Sequence, residues 1–265
     1  MTPRPDRERR IALVLEYDGS QYLGSQIQKR GPTIQDELEV ALERLTGKRI
    51  RVAFAGRTDA GVHAWAQVVA FTTASRLKTD VFARGLNAWL PDDIAVRHAL
   101  DAPDDFDPRR HAASRTYRYS IYNATARSPL WRTRAWHVAE PLDIERMRRA
   151  AGYLVGEHDF AAFSRREDVT TVRCVQRCDL DRRGPVITLD IQATAFLRQQ
   201  MRRTAGALAQ VGRGRLSLSA FKAVLRHAEP NSAGPLAPAH GLCLVNVAYY
   251  GLDLNEPTRY DKQSI

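Results

Sequence analysis

The spacing of apolar residues along this chain changes in ways that separate strands from helices. Ile11 to Tyr17 is an almost unbroken apolar run that ends at Asp18-Gly19-Ser20, which reads as a strand entering a turn. A polar loop follows to Pro32. Thr33 then stands where a helix N-cap belongs, with Ile34, Leu38, Leu42 and Leu45 at helical spacing and Gly47 as the stop. Residues 50–55 and 67–72 read as strands, 79–90 as a helix closed by Pro91, and 94–100 as a strand. The stretch 101–114, with Pro103, Pro108 and few long apolar side chains, marks a crossing between two halves. Beyond it, 115–122 alternates as a strand, and Asp143 caps a helix with Ile144, Met147, Ala151 and Leu154 on one face. Residues 172–180 and 186–193 form a hairpin around Arg182-Arg183-Gly184-Pro185. The spacing predicts a long helix over 195–211 ending at Gly212, a shorter one over 219–226, and a closing strand over 242–250.

Strands that follow one another without an intervening helix favour antiparallel pairing, so the fold class is α+β rather than a doubly wound sheet. Four segments result. They are a basic N-terminal arm at 1–10, an N-terminal α/β half at 11–107, a C-terminal α/β half at 108–251 and a polar tail at 252–265.

Composition narrows the function. With 44% hydrophobic and 26% charged residues over 265 positions, the chain is an ordinary folded protein of one large or two small domains. No apolar run approaches the roughly 18–20 residues of a membrane helix. The apolar run after Arg10 is too short and too soon charged for a secretory signal. Three cysteines with no CxxC pair offer neither a disulfide framework nor a zinc site, and reduced thiols in the cytoplasm are expected. The charge is more telling. Lys and Arg total 40 against 30 Asp and Glu, a net of +10, and 35 of the 40 are Arg. An excess of this size points to a polyanionic partner, nucleic acid first.

Two stretches contain no Asp or Glu. Residues 108–139 carry seven Arg, and 191–228 carry six Arg and Lys222. Tyr117, Tyr119, Trp131 and Trp136 lie in the first, and arginine beside aromatics suits an RNA surface. On the 195–211 helix, Leu197, Met201, Leu208 and Val211 share one face. Arg198 and Arg202, four apart, share a neighbouring one.

One loop, 55–64, carries candidate chemistry: Ala55-Gly56-Arg57-Thr58-Asp59-Ala60-Gly61-Val62-His63-Ala64. Two glycines bracket a turn between strands and leave the Asp59 carboxylate unobstructed. Arg57 is close enough in sequence to pair with it. A plain structural turn, with Asp59 capping backbone amides, accounts for the spacing equally well.

The segment Gly56 to His63 resembles the signature of TruA-type tRNA pseudouridine synthases, and the resemblance spans nearly the whole chain. Glu16-Tyr17-Asp18-Gly19-Ser20, Asn87 with Leu90-Pro91-x-Asp93-Ile94, and Arg115-Thr116-Tyr117-Arg118-Tyr119 match in order. So do Gly156-x-His158-Asp159-Phe160, Ala195-Phe196-Leu197 through Met201-Arg202, and Pro235 through Leu244. One departure is Ser25, where the family usually has Trp. The resemblance implies the pseudouridine synthase fold, with two similar halves, mainly antiparallel sheets flanked by helices and an active-site cleft between them. It implies isomerisation of uridine to pseudouridine at positions 38, 39 or 40 of the tRNA anticodon arm, with no cofactor or metal, by a homodimer. It carries the catalytic aspartate onto Asp59, the active-site tyrosine onto Tyr117 and the arginine paired with the aspartate onto Arg202. Leu242 becomes the apolar residue beside the target base, and Arg57 an arginine that helps to flip it. Arg115 and Arg198 stand as further substrate contacts, and His63 as a structural residue. The rival readings are a non-catalytic RNA-binding protein and, behind it, a metal-dependent nuclease using Asp59 with Asp92, Asp93, Asp104 or Asp105.

Overall fold

The computed structural model describes residues 8–165, 170–227, 229–252 and 254. Of the expected arm only Glu8, Arg9 and Arg10 fall in this range, and of the expected tail only Leu252 and Leu254; the rest lies outside the described residues.

Local signals set the first elements. Strand β1 (Arg9–Tyr17) enters a short turn in which the Asp18 side chain accepts from the Ser20 amide at 2.9 Å. Helix α1 (Ile34–Thr46) begins where the Thr33 hydroxyl accepts from the Asp36 amide at 3.2 Å, and it ends at Gly47 with φ 72°. Then follow β2 (Ala53–Phe54), β3 (His63–Thr73), α2 (Thr79–Asn87), β4 (Ile94–Ala102), β5 (Ala112–Asn123) and β6 (Trp136–Val138). Asp143 caps α3 (Ile144–Gly152) through the Arg146 amide. The chain continues through β7 (Gly156–Asp159), the hairpin β8 (Val172–Arg183) and β9 (Val186–Ala193), α4 (Gln200–Gly212), α5 (Leu218–His227) and β10 (Leu242–Tyr249).

The strands form one sheet in the order β4-β1-β3-β10-β5-β9-β8-β7, with β2 on β3 and β6 on β5. The two halves therefore do not own separate sheets. β10, the last of the described strands, lies between them, parallel to β3 and antiparallel to β5. Register fixes the two faces. Ile94, Tyr17, Ala64, Leu244, Tyr117, Ile191 and Cys178 oppose one another in a row across seven strands. Side chains on such a row share a face, and six of the seven are buried. Helix α2 and the loop ahead of α4 cover this face: Phe71 of β3 meets Phe82 of α2 edge-on at 5.6 Å, and Tyr117 meets the loop residue Phe196 at 5.1 Å. The next row, His63, Cys243, Arg118, Asp190 and Asp179, points the other way and is largely polar.

Three expectations need correction. The strand over 50–55 shrinks to Ala53–Phe54, because the Val52 amide donates to the Glu39 carboxylate of α1 instead of to the sheet. The helix over 195–211 starts only at Gln200. Gln199 takes left-handed backbone (φ 64°), and Phe196 and Leu197 pack as loop residues. The helix over 79–90 ends at Asn87, whose side chain holds both polar groups of Val96 in β4.

Candidate active site

The loop 55–62 joins β2 to β3 at the boundary between the halves. Its entry is held by buried polar side chains. The Gln67 amide grips Gly56 from both sides, accepting from its N–H at 3.3 Å and donating to its carbonyl at 2.8 Å. The Ala55 carbonyl accepts from Arg115 Nη2 at 2.9 Å and Nε at 3.3 Å. The exit turns through Gly61, which needs its φ of 77°, and the Val62 amide returns to the Asp59 carbonyl at 3.1 Å.

Asp59 projects from this frame with its side chain 31% exposed. The partner expected from spacing, Arg57, is exposed and forms no ion pair with it. Two arginines from across the chain face it instead. Arg202 Nη1 stands 3.8 Å from Oδ2, and Arg198 Nε 4.0 Å from Oδ1. They differ in kind. Arg202 is 15% exposed and donates from Nε to the Ala237 carbonyl at 2.7 Å, whereas Arg198 is 60% exposed. Burial pulls the Arg202 guanidinium below its ordinary pKa, and Asp59 and Tyr119 pull it back. Arg198 and Arg202 do meet at one place, but from a loop and a helix rather than from one helical face.

Tyr117 lies on the buried face next to this loop, so near that a Cβ on Gly56 would be 3.6 Å from its hydroxyl oxygen. Burial, with Tyr17 and Asp59 adding, raises its pKa strongly, and Arg115 opposes. The phenol therefore stays protonated, an O–H donor beside the carboxylate. Leu242 is buried and opposes Tyr119 in the β10–β5 ladder, which places it on the same face as Tyr117. The Tyr119 hydroxyl donates to the Pro238 carbonyl at 2.8 Å.

Two expectations change here. Arg115 is buried and donates to the carbonyls of Ala55, Arg109 and Thr194, so it ties the base of the loop instead of standing exposed as a substrate contact. The acid-free stretches also do not form one basic surface. Arg118 pairs with both oxygens of Asp190 at 2.7 Å and lines a cleft on the far face of the sheet with Trp65, Trp131 and Arg134. Glu140 pairs with both Arg213 and Arg215 and offsets one of their two charges. His63 Nδ1 lies 3.1 Å from the Gly19 amide and Nε2 3.1 Å from the His240 carbonyl, so it bridges backbone segments. Sequence reasoning passed over Tyr17 and Gln67. A lone amide at the head of the apolar run 67–72 was the available signal for Gln67.

The sequence profile of a family described as tRNA pseudouridine synthase matches residues 13–109 and 150–250, which include both Asp59 and the arginines that face it. The chain belongs to that family. Its curated relatives include tRNA pseudouridine synthase A of Geotalea uraniireducens, 46% identical over 91% of this chain and 100% of its own length. The tRNA pseudouridine synthase A of Pelobacter propionicus matches at the same figures, and that of Myxococcus xanthus is 45% identical over 91% of this chain and 92% of its own length. This pseudouridine synthase is accordingly an isomerase. Among its described residues no group of three or more His, Cys, Asp or Glu is placed to hold a metal ion, and no helix is long and apolar enough to cross a membrane.

Proposed function

We propose that this chain converts uridine to pseudouridine at positions 38, 39 or 40 in the anticodon arm of tRNA, with Asp59 as the catalytic carboxylate. The observation that carries the reading is Asp59 itself: a part-exposed carboxylate on a loop tied by buried groups, faced by two guanidiniums that stop short of hydrogen-bonding distance. It is attracted and oriented but not occupied.

The reaction is a rearrangement with no redox change. The N1–C1′ bond breaks, the base turns, C5 joins C1′, the C5 proton leaves and N1 takes up a proton. A carboxylate beside the sugar can form a transient bond at C1′ or C6, or remove a sugar proton. Tyr117 supports the base as a neutral ring and is positioned near the carboxylate for proton transfer at C5. The base must first leave its stack, at a cost of a few kcal/mol. Exposed Arg57 and Arg198 beside Asp59 are suited to hold the distorted backbone. Buried Leu242 fits the apolar wall beside the base. The reading includes a homodimer acting in the cytoplasm, and a sedimentation profile at the mass of one chain would remove the dimer.

The decisive experiment uses unmodified tRNA labelled with tritium at C5 of uridine. Wild-type enzyme should release tritium and Asp59→Asn should release none above background, while both bind the tRNA. Release by Asp59→Asn at the wild-type rate ends the assignment. Mapping the product tests the three positions.

A further inference from the structure

The Asp59 carboxylate makes no close hydrogen bond, so its position must be fixed through the backbone. The residue before it does this. Thr58 is 7% exposed, and every polar atom it has is engaged. Its N–H donates to Ser25 Oγ at 2.9 Å, its carbonyl accepts from the Ser25 N–H at 3.1 Å, and its hydroxyl shares a hydrogen bond with the Tyr17 hydroxyl at 2.8 Å. One residue further on, Gly24 and Asp59 form an isolated antiparallel bridge. The chains approach so closely that a Cβ on Gly24 would stand 2.6 Å from the Thr58 carbonyl oxygen. Behind this strap, the first free amides of α1 donate to it: Ile34 to the Gly24 carbonyl at 3.3 Å and Gln35 to the Ser25 carbonyl at 3.0 Å. A helix end therefore backs the strap, and the strap backs the loop.

We propose that Ser25 is a positioning residue for the isomerisation: its hydroxyl, by accepting the Thr58 amide proton, sets the place of the Asp59 carboxylate. The inference rests on Asp59 being the catalytic carboxylate. Ser25 is wholly buried, so its oxygen meets no solvent and its visible work is this one acceptance. Serine suits the task because a single oxygen one bond beyond Cβ reaches the amide while the same residue's main chain takes the Thr58 carbonyl.

Ser25→Ala removes the acceptor and leaves a buried amide without a partner. The expected result is a single-turnover rate of pseudouridine formation lowered about tenfold or more. The tRNA Kd should stay within about twofold of wild type, and hydrogen exchange at the Thr58 amide should quicken. A merely structural role would lower the melting temperature and the folded fraction while leaving the rate per folded molecule alone. An unchanged rate per folded molecule in Ser25→Ala overturns the proposal. Should that variant fail to fold, Ser25→Cys, which keeps the side chain but offers the Thr58 amide only a weak sulfur acceptor, carries the same split of rate against affinity, and an unchanged rate there overturns it. Asp59→Asn run alongside separates the two readings. Activity in Asp59→Asn sinks the catalytic assignment, whereas an inactive Asp59→Asn with a fully active Ser25→Ala sinks only the role of Ser25.

Discussion

The two sides of the Asp59 site are built on opposite plans. On one side the loop 55–62 is tied by buried groups at Ala55, Gly56 and Thr58, and the Asp59 side chain stays part-exposed between exposed Arg57 and Ala60. On the other side, residues 194–202 present two guanidiniums at unequal depth. Arg202 is anchored on the Ala237 carbonyl, and Arg198, just before the left-handed Gln199, is mostly exposed. The difference separates two physical demands. A reacting carboxylate needs a place defined to within about half an ångström. A cation that grips a distorted polyanion gains from reach, and a long exposed guanidinium has it.

Substitutions that blur this contrast should have graded effects. The largest is expected at the anchored side. Arg202→Ala should slow turnover about a hundredfold, as misplacement in a preorganised site does, and should lower the melting temperature because the Ala237 carbonyl loses its donor. Arg202→Lys tests the geometry: an ammonium carries its donors on one nitrogen and does not reproduce the separate Nε and Nη1 positions that face Ala237 and Asp59, so charge alone should restore only part of the rate. A fully active Arg202→Lys would show that the anchor is dispensable. Next comes Tyr117→Phe, which keeps the ring and removes the buried O–H. Turnover should fall about tenfold, within the range for a lost acid–base group or hydrogen bond, with unchanged tRNA affinity; full activity would leave Tyr117 a stacking role alone. At the exposed side, Arg198→Ala should weaken tRNA binding by a few fold and reduce the salt slope of log K by about one. Its melting temperature should match wild type.

The smallest effect concerns pH. Burial lowers the His240 pKa below the ordinary 6.5, His63 and Arg202 push the same way, and a backbone hydrogen bond with Ala135 opposes. The folded state thus favours the neutral ring, and the unfolded chain binds the proton more tightly. Stability is full above pH 6.5 and declines as pH falls from there toward the folded-state pKa. Urea midpoints measured for wild type and His240→Gln between pH 5 and 8 should diverge at the acid end. Parallel curves would remove His240 as a source of that slope.

Much of the fold was legible because its signals are local. Thr33 and Gly47, Asp143, and the Gly184-Pro185 turn each act within a few residues, and the structure uses them as the spacing suggests. β6 and β7, three and four residues long, were missed because so few positions show no period. The single sheet was hidden for another reason: the β10–β3 contact joins residues about 180 apart in sequence, and no local pattern announces it. Within the site, the Gly-bracketed Asp59 loop stood out because glycine and aspartate together in a short turn carry a conformational meaning. The roles of Arg115 and Arg57 did not. A charged side chain in a basic stretch reads as surface until the fold shows which carbonyls or carboxylates await it. Arg115 meets three carbonyls, while Arg57, two residues from Asp59, turns outward.

The central place of β10 bears on how the molecule comes into being. Both of its neighbours leave the ribosome long before it does, so β3 and β5 carry open edges while the rest of the chain is being made. Such edges invite wrong partners, and closing them needs contacts between distant parts of the sequence, which folds slowly. The two sides of the site do not have their final spacing until that strand slots in. Newly made protein should therefore lack isomerase activity, and depend most on chaperones, up to that late step.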